Sequence, residues 1–555
     1  MNVESPLLTL DKVQLSIHQT PILHNISLQL QAGQTLGIIG ESGSGKSMTA
    51  LAIMQLLPRG SQLGGSIRFH GQELQSLPES QLCELRGSDI GMIFQEPMTA
   101  LNPVKNIGDQ VSESIRLHRH LSRDEAWELT AQTLQRVGLP QARFPLGRYP
   151  HELSGGQRQR VVIAIAIACQ PRLLIADEPT TALDVTTQAG ILELLKSLQD
   201  EEGLALMLIS HDLAVVSNMA DDVVVMREGC VVEQGGLGAV FGKPSHNYTR
   251  LLFEASALTQ MTRAGSPANE SVVGMTGLSA SRSEADHQAA PVLLQVDELI
   301  CEYPGRRTGL FSHAPAFRAV DEVSFEVRQG ESVALVGESG CGKSTLTRAL
   351  LGLMPLRGGH VRLNGETLSG ARVVSRAARQ QMQVVFQDPY GSFNPRHRVG
   401  RLVCEPLHVL DTPLSRTETQ QRLAKVLESV GLRSSDSDKF IHEFSGGQRQ
   451  RIAIARSLIL QPSLIILDEA VSALDVSVRA QVLQLLDTLA HEQGLAYLFI
   501  THDLSVVQRV SERLLVMQHG KIVEQGVTAD VFSNPLHAYT QELLAAAPVL
   551  RIPVS

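Results

Sequence analysis

Short, almost wholly apolar runs punctuate this chain, and they recur in the same order in its two halves. "TLGIIG" (Thr35–Gly40), "RLLIAD" (Arg172–Asp177) and "LALMLIS" (Leu204–Ser210) are of strand length and bounded by polar or turn residues. Unbroken apolar runs of that length predict strands buried on both faces, as in a parallel sheet. The first run passes through a glycine-rich loop into "KSMTALAIMQLL" (Lys46–Leu57), a helical pattern. Each half therefore reads as α/β, a mainly parallel sheet flanked by helices. Residues around 105–150 differ. "SRDEAWELTAQTLQRVGL" opens on a capping box, Ser122 with Glu125, and stops at Gly138. The second half repeats this with Ser415, Glu418 and Gly431. A helical subdomain is thus expected inside both halves.

The repetition is global. "GESGSGKS" matches "GESGCGKS", "IFQEP" matches "VFQDP", "HELSGGQRQR" matches "HEFSGGQRQR", "LLIADE" matches "LIILDE" and "LISHDLAVV" matches "FITHDLSVV". Between the copies lies a Gly-, Ser- and Ala-rich stretch almost free of aromatics, which suits a flexible linker. The expected organisation is a first domain at 1–256, a linker at 257–290 and a second domain at 291–555. A length of 555 residues agrees, being more than one hydrophobic core usually supports.

Composition removes several classes of function. A net charge of −9 speaks against nucleic-acid binding through a basic face. The six cysteines are scattered, without a CxxC pair, so neither a disulfide framework nor a zinc site is expected. The first residues, "MNVESPLLTLDK", lack the apolar segment of a secretory signal. The longest fully apolar stretch, "VVIAIAIAC" (Val161–Cys169), is far short of the ~20 residues of a membrane-spanning helix. The chain is not expected to cross a membrane alone.

The chemistry begins at the glycine loops. Gly40, Glu41, Ser42, Gly43, Ser44, Gly45, Lys46 and Ser47 follow an apolar strand and open a helix, the context of a P-loop. Gly337, Glu338, Ser339, Gly340, Cys341, Gly342, Lys343 and Ser344 do the same in the second half. Such glycines let successive backbone N–H groups curl around phosphate oxygens. Lys46 and Lys343 would reach the β- and γ-phosphates of ATP, and Ser47 and Ser344 would place a hydroxyl on Mg²⁺. Asp177 and Asp468 end apolar strands on the edge where open α/β sheets bind ligands, placed to hold Mg²⁺. Glu178 and Glu469 come next, placed to orient and polarise an attacking water.

Taken together, these motifs resemble ATP-binding cassettes, the ATPase subunits of ABC transporters, and the resemblance covers nearly all of the chain outside the linker. It implies that Gln95 and Gln387 are Q-loop residues that sense the γ-phosphate, contribute to the Mg²⁺ site and signal to the permease. It makes His211 and His502 switch histidines and "TALD" (Thr181–Asp184) and "SALD" (Ser472–Asp475) D-loops. It adds Thr345 to the second phosphate site and Tyr303 as the aromatic that stacks on adenine, a place taken by Ile17 in the first half. In that family two cassettes dock head to tail. Ser154, Gly155, Gly156 and Gln157 would then close on ATP at Lys343, and Ser445, Gly446, Gly447 and Gln448 on ATP at Lys46.

Finer matches narrow the branch. "FQEPMTALNPV" and "FQDPYGSFNPR" resemble the Q-loop segments of peptide-importer ATPases. "FGKPSHNYTRLL" (Phe241–Leu252) and "FSNPLHAYTQELL" (Phe532–Leu544) resemble their tail signature, F…P…H…YT. The chain resembles a fusion of the two ATPases of a dipeptide, oligopeptide or microcin C-type importer. No cysteine follows Cys404, so the iron–sulfur tail of some relatives is not expected. Phe444 before "SGGQ" and Ala470 after Glu469 depart from the family's leucine and proline and read as tolerated. The implied partners are two transmembrane permeases and, through them, an external solute-binding protein. The implied place is peripheral, on the cytoplasmic face of the cell membrane, with no nucleic acid. Two other readings stand beside this one. A soluble twin-cassette factor acting on ribosomes or DNA would suit a charged helical linker and basic surfaces. An exporter ATPase would lack the importer tails. Peptide, nickel, glutathione and sugar importers share this ATPase branch, so the sequence does not name the cargo.

Overall fold

The computed structural model describes residues 5–95, 100–181, 183–257, 290–305, 315–368, 375–387, 391–472 and 474–550. Of the expected linker only its end residues, Ala257 and Ala290, are described. Ala182 and Ala473 of the "TALD" and "SALD" phrases also lie outside the described residues, as do Glu96–Thr99 and Asp388–Tyr390 after the two "FQ" pairs. Contacts divide the chain into two compact units, Met1–Leu258 with Pro548–Ser555, and Thr259–Ala547.

The strands of the first unit run in chain order β1 (Leu8–Ile17), β2 (Thr20–Leu30), β3 (Thr35–Ile39), β4 (Ser61–Phe69), β5 (Gln72–Glu73), β6 (Ile90–Ile93), β7 (Leu173–Asp177), β8 (Ala205–Ile209), β9 (Asp222–Arg227) and β10 (Cys230–Gly236). They form a four-stranded sheet of order β2-β1-β4-β5 and a six-stranded sheet of order β10-β9-β3-β8-β7-β6. The six-stranded sheet is parallel except at β10. The expected parallel core is therefore present. The antiparallel sheet beside it is an addition that the apolar runs do not reveal. In β1 the buried residues Leu8, Leu10, Val13 and Leu15 skip a beat between Leu10 and Val13. The register shifts there and Lys12 takes φ 49°, a bulge that returns Val13 and Leu15 to the core face.

The central strands are buried on both faces and alternate between two cores. Leu173 and Ile175 of β7, with Ala205, Met207 and Ile209 of β8, pack against the antiparallel sheet and the helix Lys46–Ile53. Leu174 and Ala176, with Leu206 and Leu208, face the other way. There they meet the helices Ile107–Arg119 and Arg123–Arg136 of the inserted subdomain and the helix Gly155–Ile167. The capping box Ser122–Glu125 is present, and Gly138 closes the insert's second helix at φ 81°.

The second unit repeats the plan. Its strands are β11 (Val292–Tyr303), β12 (Phe317–Arg328), β13 (Ser332–Val336), β14 (Gly358–Leu363), β15 (Glu366–Thr367), β16 (Met382–Val385), β17 (Leu464–Asp468), β18 (Ala496–Ile500), β19 (Arg513–Gln518) and β20 (Lys521–Val527). The sheets are β12-β11-β14-β15 and β16-β17-β18-β13-β19-β20. One element departs. Where the first insert has a single helix, Ile107–Arg119, the second has Val399–Cys404 and then a 3₁₀ turn, Glu405–Val409. Pro406 sits at the start of that turn, where its missing N–H ends the α-helical ladder. Among the described residues no helix is long and apolar enough to cross a membrane.

Candidate nucleotide site

In each unit the glycine loop joins the central strand to a helix, β3 to Lys46–Ile53 and β13 to Lys343–Leu350. Gly40 and Gly337 carry φ 152° and 156°, and a Cβ on either would lie 2.2 Å from a backbone oxygen, that of Met226 or Met517. Only glycine fits, for reasons of both conformation and space. The helices start at Gly45 and Gly342 without a side-chain cap, leaving their first N–H groups for an anion. Lys46 is buried, and its Nζ donates to Gly40 O at 2.8 Å and Glu41 O at 2.9 Å. Lys343 rests in the same way on Gly337 O and Glu338 O, at 2.6 and 2.8 Å. Each ammonium, with three N–H donors in all, thus rests on two carbonyls of its own loop.

Asp177 ends β7 and is 5% exposed. Burial pushes its carboxyl up, opposed by a hydrogen bond from Ser47. Its Oδ1 is buried and has no hydrogen-bond partner among the described residues. A desolvated carboxylate with an open oxygen next to a serine hydroxyl fits a hard divalent cation such as Mg²⁺. Asp468 occupies the same place at the end of β17; burial raises it, and Lys343 and Thr347 counter that. Among the described residues no group of three or more His, Cys, Asp or Glu could hold a metal by itself. Mg²⁺ usually takes one or two protein oxygens and completes its shell from substrate phosphates and water.

Glu178 and Glu469 both adopt the left-handed region, φ 48° and 50°, uncommon for a non-glycine residue. Their amides donate to the last residue of the neighbouring strand, Ile209 O at 2.9 Å and Ile500 O at 2.8 Å, which pins the turn. Glu178 Oε1 lies 3.3 Å from His211 Nδ1, and Glu469 Oε1 lies 3.5 Å from His502 Nδ1. Glu178 Oε2 also accepts from Gln95 Nε2 and Thr181 Oγ1, both at 2.9 Å. Burial raises the Glu178 carboxyl, but His211, Thr181 and Gln95 outweigh it and hold it at about 2. Glu469 is also lowered, against burial, by His502 and Lys343. The copies are not identical. Among the described residues no hydrogen bond joins Gln387 to Glu469, and Ser472 Oγ donates to the Glu469 backbone oxygen. The next residue in each copy anchors the turn behind the histidine: Asp212 and Asp503 cap the helices that begin there, accepting from Ala214 N and Ser505 N.

The S-G-G-Q phrase also has a local job, which the family resemblance does not bring out. Ser154 is the N-cap of the helix Gly155–Ile167, and Gln157 closes a capping box with it; Ser445 and Gln448 do the same for Gly446–Leu458. The two glycines of each phrase differ. A Cβ on Gly156 would lie 2.2 Å from Thr187 Cγ2, and one on Gly447 2.2 Å from Val478 Cγ1. Gly155 and Gly446 have no such neighbour and are exposed, as are Ser154 and Ser445. The arginines after the phrase tie it to the insert: Arg160 Nη1 donates to Val137 O at 2.7 Å, and Arg451 Nη1 to Val430 O at 2.9 Å. A helix start is thus fixed on its inner side and open on its outer side.

Tyr303 ends β11, is 38% exposed, and lies beside the loop, its hydroxyl 3.2 Å from Thr345 Oγ1. In the first copy Ile17 ends β1 and Met48 stands where the second has Thr345. Phe444 and Ala470 are both buried without disturbing the elements beside them. Cys341 is buried in its loop, and burial pushes its thiol up.

The chain is similar to known proteins along most of its length. The family pattern described as ABC transporter matches residues 23–181 and again 320–472. The pattern for the oligopeptide/dipeptide transporter C-terminal region matches residues 523–555. The glutathione import ATP-binding protein GsiA of Salmonella choleraesuis is 46% identical over 550 residues, covering 96% of this chain and 87% of the relative. GsiA of Escherichia coli O6:H1 is 47% identical over 546 residues, covering 95% and 86%. Among solved structures, cbiO1 of Clostridium perfringens, part of the ABC transporter complex cbiONQ, is 26% identical, with a TM-score of 0.38, covering 44% of this chain and 91% of that one.

Proposed function

The chain belongs to the ABC transporter family as an ATP-binding subunit of the branch that imports peptides and related small solutes; from that premise we propose how its residues divide the work. Two copies of one site are supported most directly by the repeated pair of Glu178 with His211 and Glu469 with His502, each within 3.5 Å and each one residue beyond a buried strand-end aspartate. Lys46 and Lys343 meet the β- and γ-phosphates of ATP. Asp177 with Ser47, and Asp468 with Ser344, hold Mg²⁺, which neutralises charge on the transferred phosphoryl group. Gln95 and Gln387 stand at the edge of that site. Glu178 and Glu469 stay ionised at neutral pH, orient the attacking water and take its proton. His211 and His502 fix those carboxylates and face the γ-phosphate.

The exposed helix starts at Ser154–Gly155 and Ser445–Gly446 carry the second part of the proposal. Each offers a helix start whose serine and first glycine are exposed, suited to an anion supplied from outside its own unit. In this reading each copy's phrase completes the ATP site of the other copy. ATP closes the two cassettes, and hydrolysis releases them. The work is passed to two transmembrane permeases at the cytoplasmic face of the inner membrane, fed by an external binding protein. The cargo is proposed to be a short peptide, glutathione included, because the chain is similar over 550 residues to a glutathione import ATP-binding protein and its residues 523–555 match the oligopeptide/dipeptide transporter pattern. The test is uptake by vesicles containing the chain and its co-purified permeases. Glutathione or a short peptide accumulates with ATP, and Glu178→Gln/Glu469→Gln abolishes it. Accumulation that survives the double substitution contradicts the proposal.

A further inference from the structure

We propose that Tyr248 and Tyr539, the tyrosines of the two F…P…H…YT tails, are positioning residues for the phosphate loops, holding each loop in shape while its lysine is engaged with nucleotide. The proposal rests on the reading of those loops as ATP sites and adds a part that nothing in the loops themselves discloses.

Tyr248 Oη accepts from the backbone N–H of Glu41 at 3.1 Å, across 207 residues of chain. Tyr539 Oη accepts from the N–H of Glu338 at 2.8 Å, across 201 residues. Both tyrosines lie in their units' cores, 5% and 3% exposed. Residue 41 is therefore clamped from two sides, its N–H by Tyr248 and its carbonyl by Lys46 Nζ. Residue 338 is clamped in the same way by Tyr539 and Lys343. The ammonium has three N–H donors, two of them on the loop carbonyls, so each of those two that it turns to a phosphate weakens the carbonyl side of the clamp. The tyrosine side does not depend on nucleotide and remains.

The rest of the motif aims the tyrosine. Glu233 of β10 accepts from Ser245 N and Oγ, both at 2.8 Å, and from His246 N at 3.1 Å. Glu524 of β20 accepts from Leu536 N at 2.8 Å and His537 N at 2.9 Å. The histidine then accepts from the tyrosine's own N–H, His246 Nδ1 at 3.1 Å and His537 Nδ1 at 3.2 Å. A carboxylate on the outer strand thus fixes the histidine, the histidine fixes the start of the tail helix, and the helix delivers the hydroxyl to the loop. Burial raises both carboxyls, but the donors around them prevail; Glu233 is held at about 2 and Glu524 is likewise lowered. The clamp stays charged at neutral pH. In the first unit the Arg227 guanidinium also lies over the Tyr248 ring, 5.0 Å from its centre, a contact that phenylalanine keeps.

The test uses the full chain with its permeases. Tyr248→Phe/Tyr539→Phe removes two hydroxyls and leaves both rings. The expected result is a rise of about three- to tenfold in KM for ATP, from the loss of a backbone hydrogen bond per site, with kcat nearly unchanged. The melting temperature should fall by only about 1–6 °C, so the chain stays folded. ADP affinity should fall with that for ATP, and adenosine affinity should not, because only the phosphate loop is loosened. Glu233→Gln/Glu524→Gln, acting one step upstream, should move KM in the same direction. An unchanged KM, or equal weakening of ADP and adenosine, overturns the positioning role. A wild-type chain that hydrolyses no ATP overturns the ATPase reading itself, so the two failures are distinct.

Discussion

Replacing Gly447 by alanine places a methyl 2.2 Å from Val478 Cγ1, in the helix Val476–Gln493. Valine in a helix has one strongly preferred rotamer, and of the two others one puts its second methyl at the contact and the other its Cβ hydrogen. Either Val478 leaves its preferred rotamer or the backbone of one helix moves. Overpacking of this kind costs about 1–3 kcal/mol. At roughly 2–4 °C per kcal/mol for a unit of this size, Gly447→Ala should lower its melting transition by about 2–12 °C. Gly156→Ala meets Thr187 Cγ2 at the same 2.2 Å, but threonine has one methyl and can swing it aside, so its loss falls at the lower end. The neighbouring glycines separate folding from function. Gly155 has its nearest atom at 3.8 Å and Gly446 none within 4 Å, so alanine at either leaves melting unchanged. Turnover should still fall, by ~10²-fold if the methyl displaces a phosphate by about 1 Å. Scanning calorimetry with ATP turnover on the same preparations reads both effects. Gly447→Ala/Val478→Ala should regain the lost melting temperature. A Gly447→Ala chain that melts like wild type, or a double variant that regains nothing, refutes the packing argument.

The acid side of stability offers a second check. Glu178 is held at about 2, below the ordinary glutamate value of about 4.3, so its pairing adds stability that is complete above that value and lost as pH falls toward about 2. Glu178→Gln should flatten the melting-versus-pH curve in that window, and an unchanged acid slope counts against the His211 pairing. At the second site Tyr303→Ala should weaken ATP binding by about 1–3 kcal/mol, the usual worth of a base–aromatic stack, whereas Ile17→Ala should cost its site much less. Equal losses in site-resolved affinity would remove the adenine role of Tyr303.

Much of the site is legible because its signals are local. The glycine loop, the strand-end Asp-Glu pair and the capping boxes at Ser122 and Ser415 each declare themselves within a few residues. The antiparallel sheet does not, for a physical reason. β1 pairs with β4 across the whole phosphate loop and its helix, and the bulge at Lys12 breaks the alternation that would mark a strand. The S-x-x-Q capping box inside "SGGQ" is just as local, yet the expected pairing of that phrase with the other half draws the eye away from it. What separates Gly155 from Gly156 is a neighbour, Thr187, on a later helix, and spacing alone does not assign it. Tyr248 and Glu41 are further out of reach, 207 residues apart and joined only by the fold.

The central claim is that each S-G-G-Q phrase serves the other copy's ATP. It is tested most directly by turnover of two double variants, with photo-labelling to count occupied sites. If sites are shared, Glu178 and Ser445 belong to one site and Glu469 and Ser154 to the other. Effects within one catalytic unit are strongly non-additive, and effects on separate units tend to add. Glu178→Gln/Ser445→Arg should then be little worse than its worse single variant, and Glu178→Gln/Ser154→Arg clearly worse than either of its own. The reverse order, with Ser154 grouping with Glu178, would mean that each half closes on its own ATP and would contradict the account.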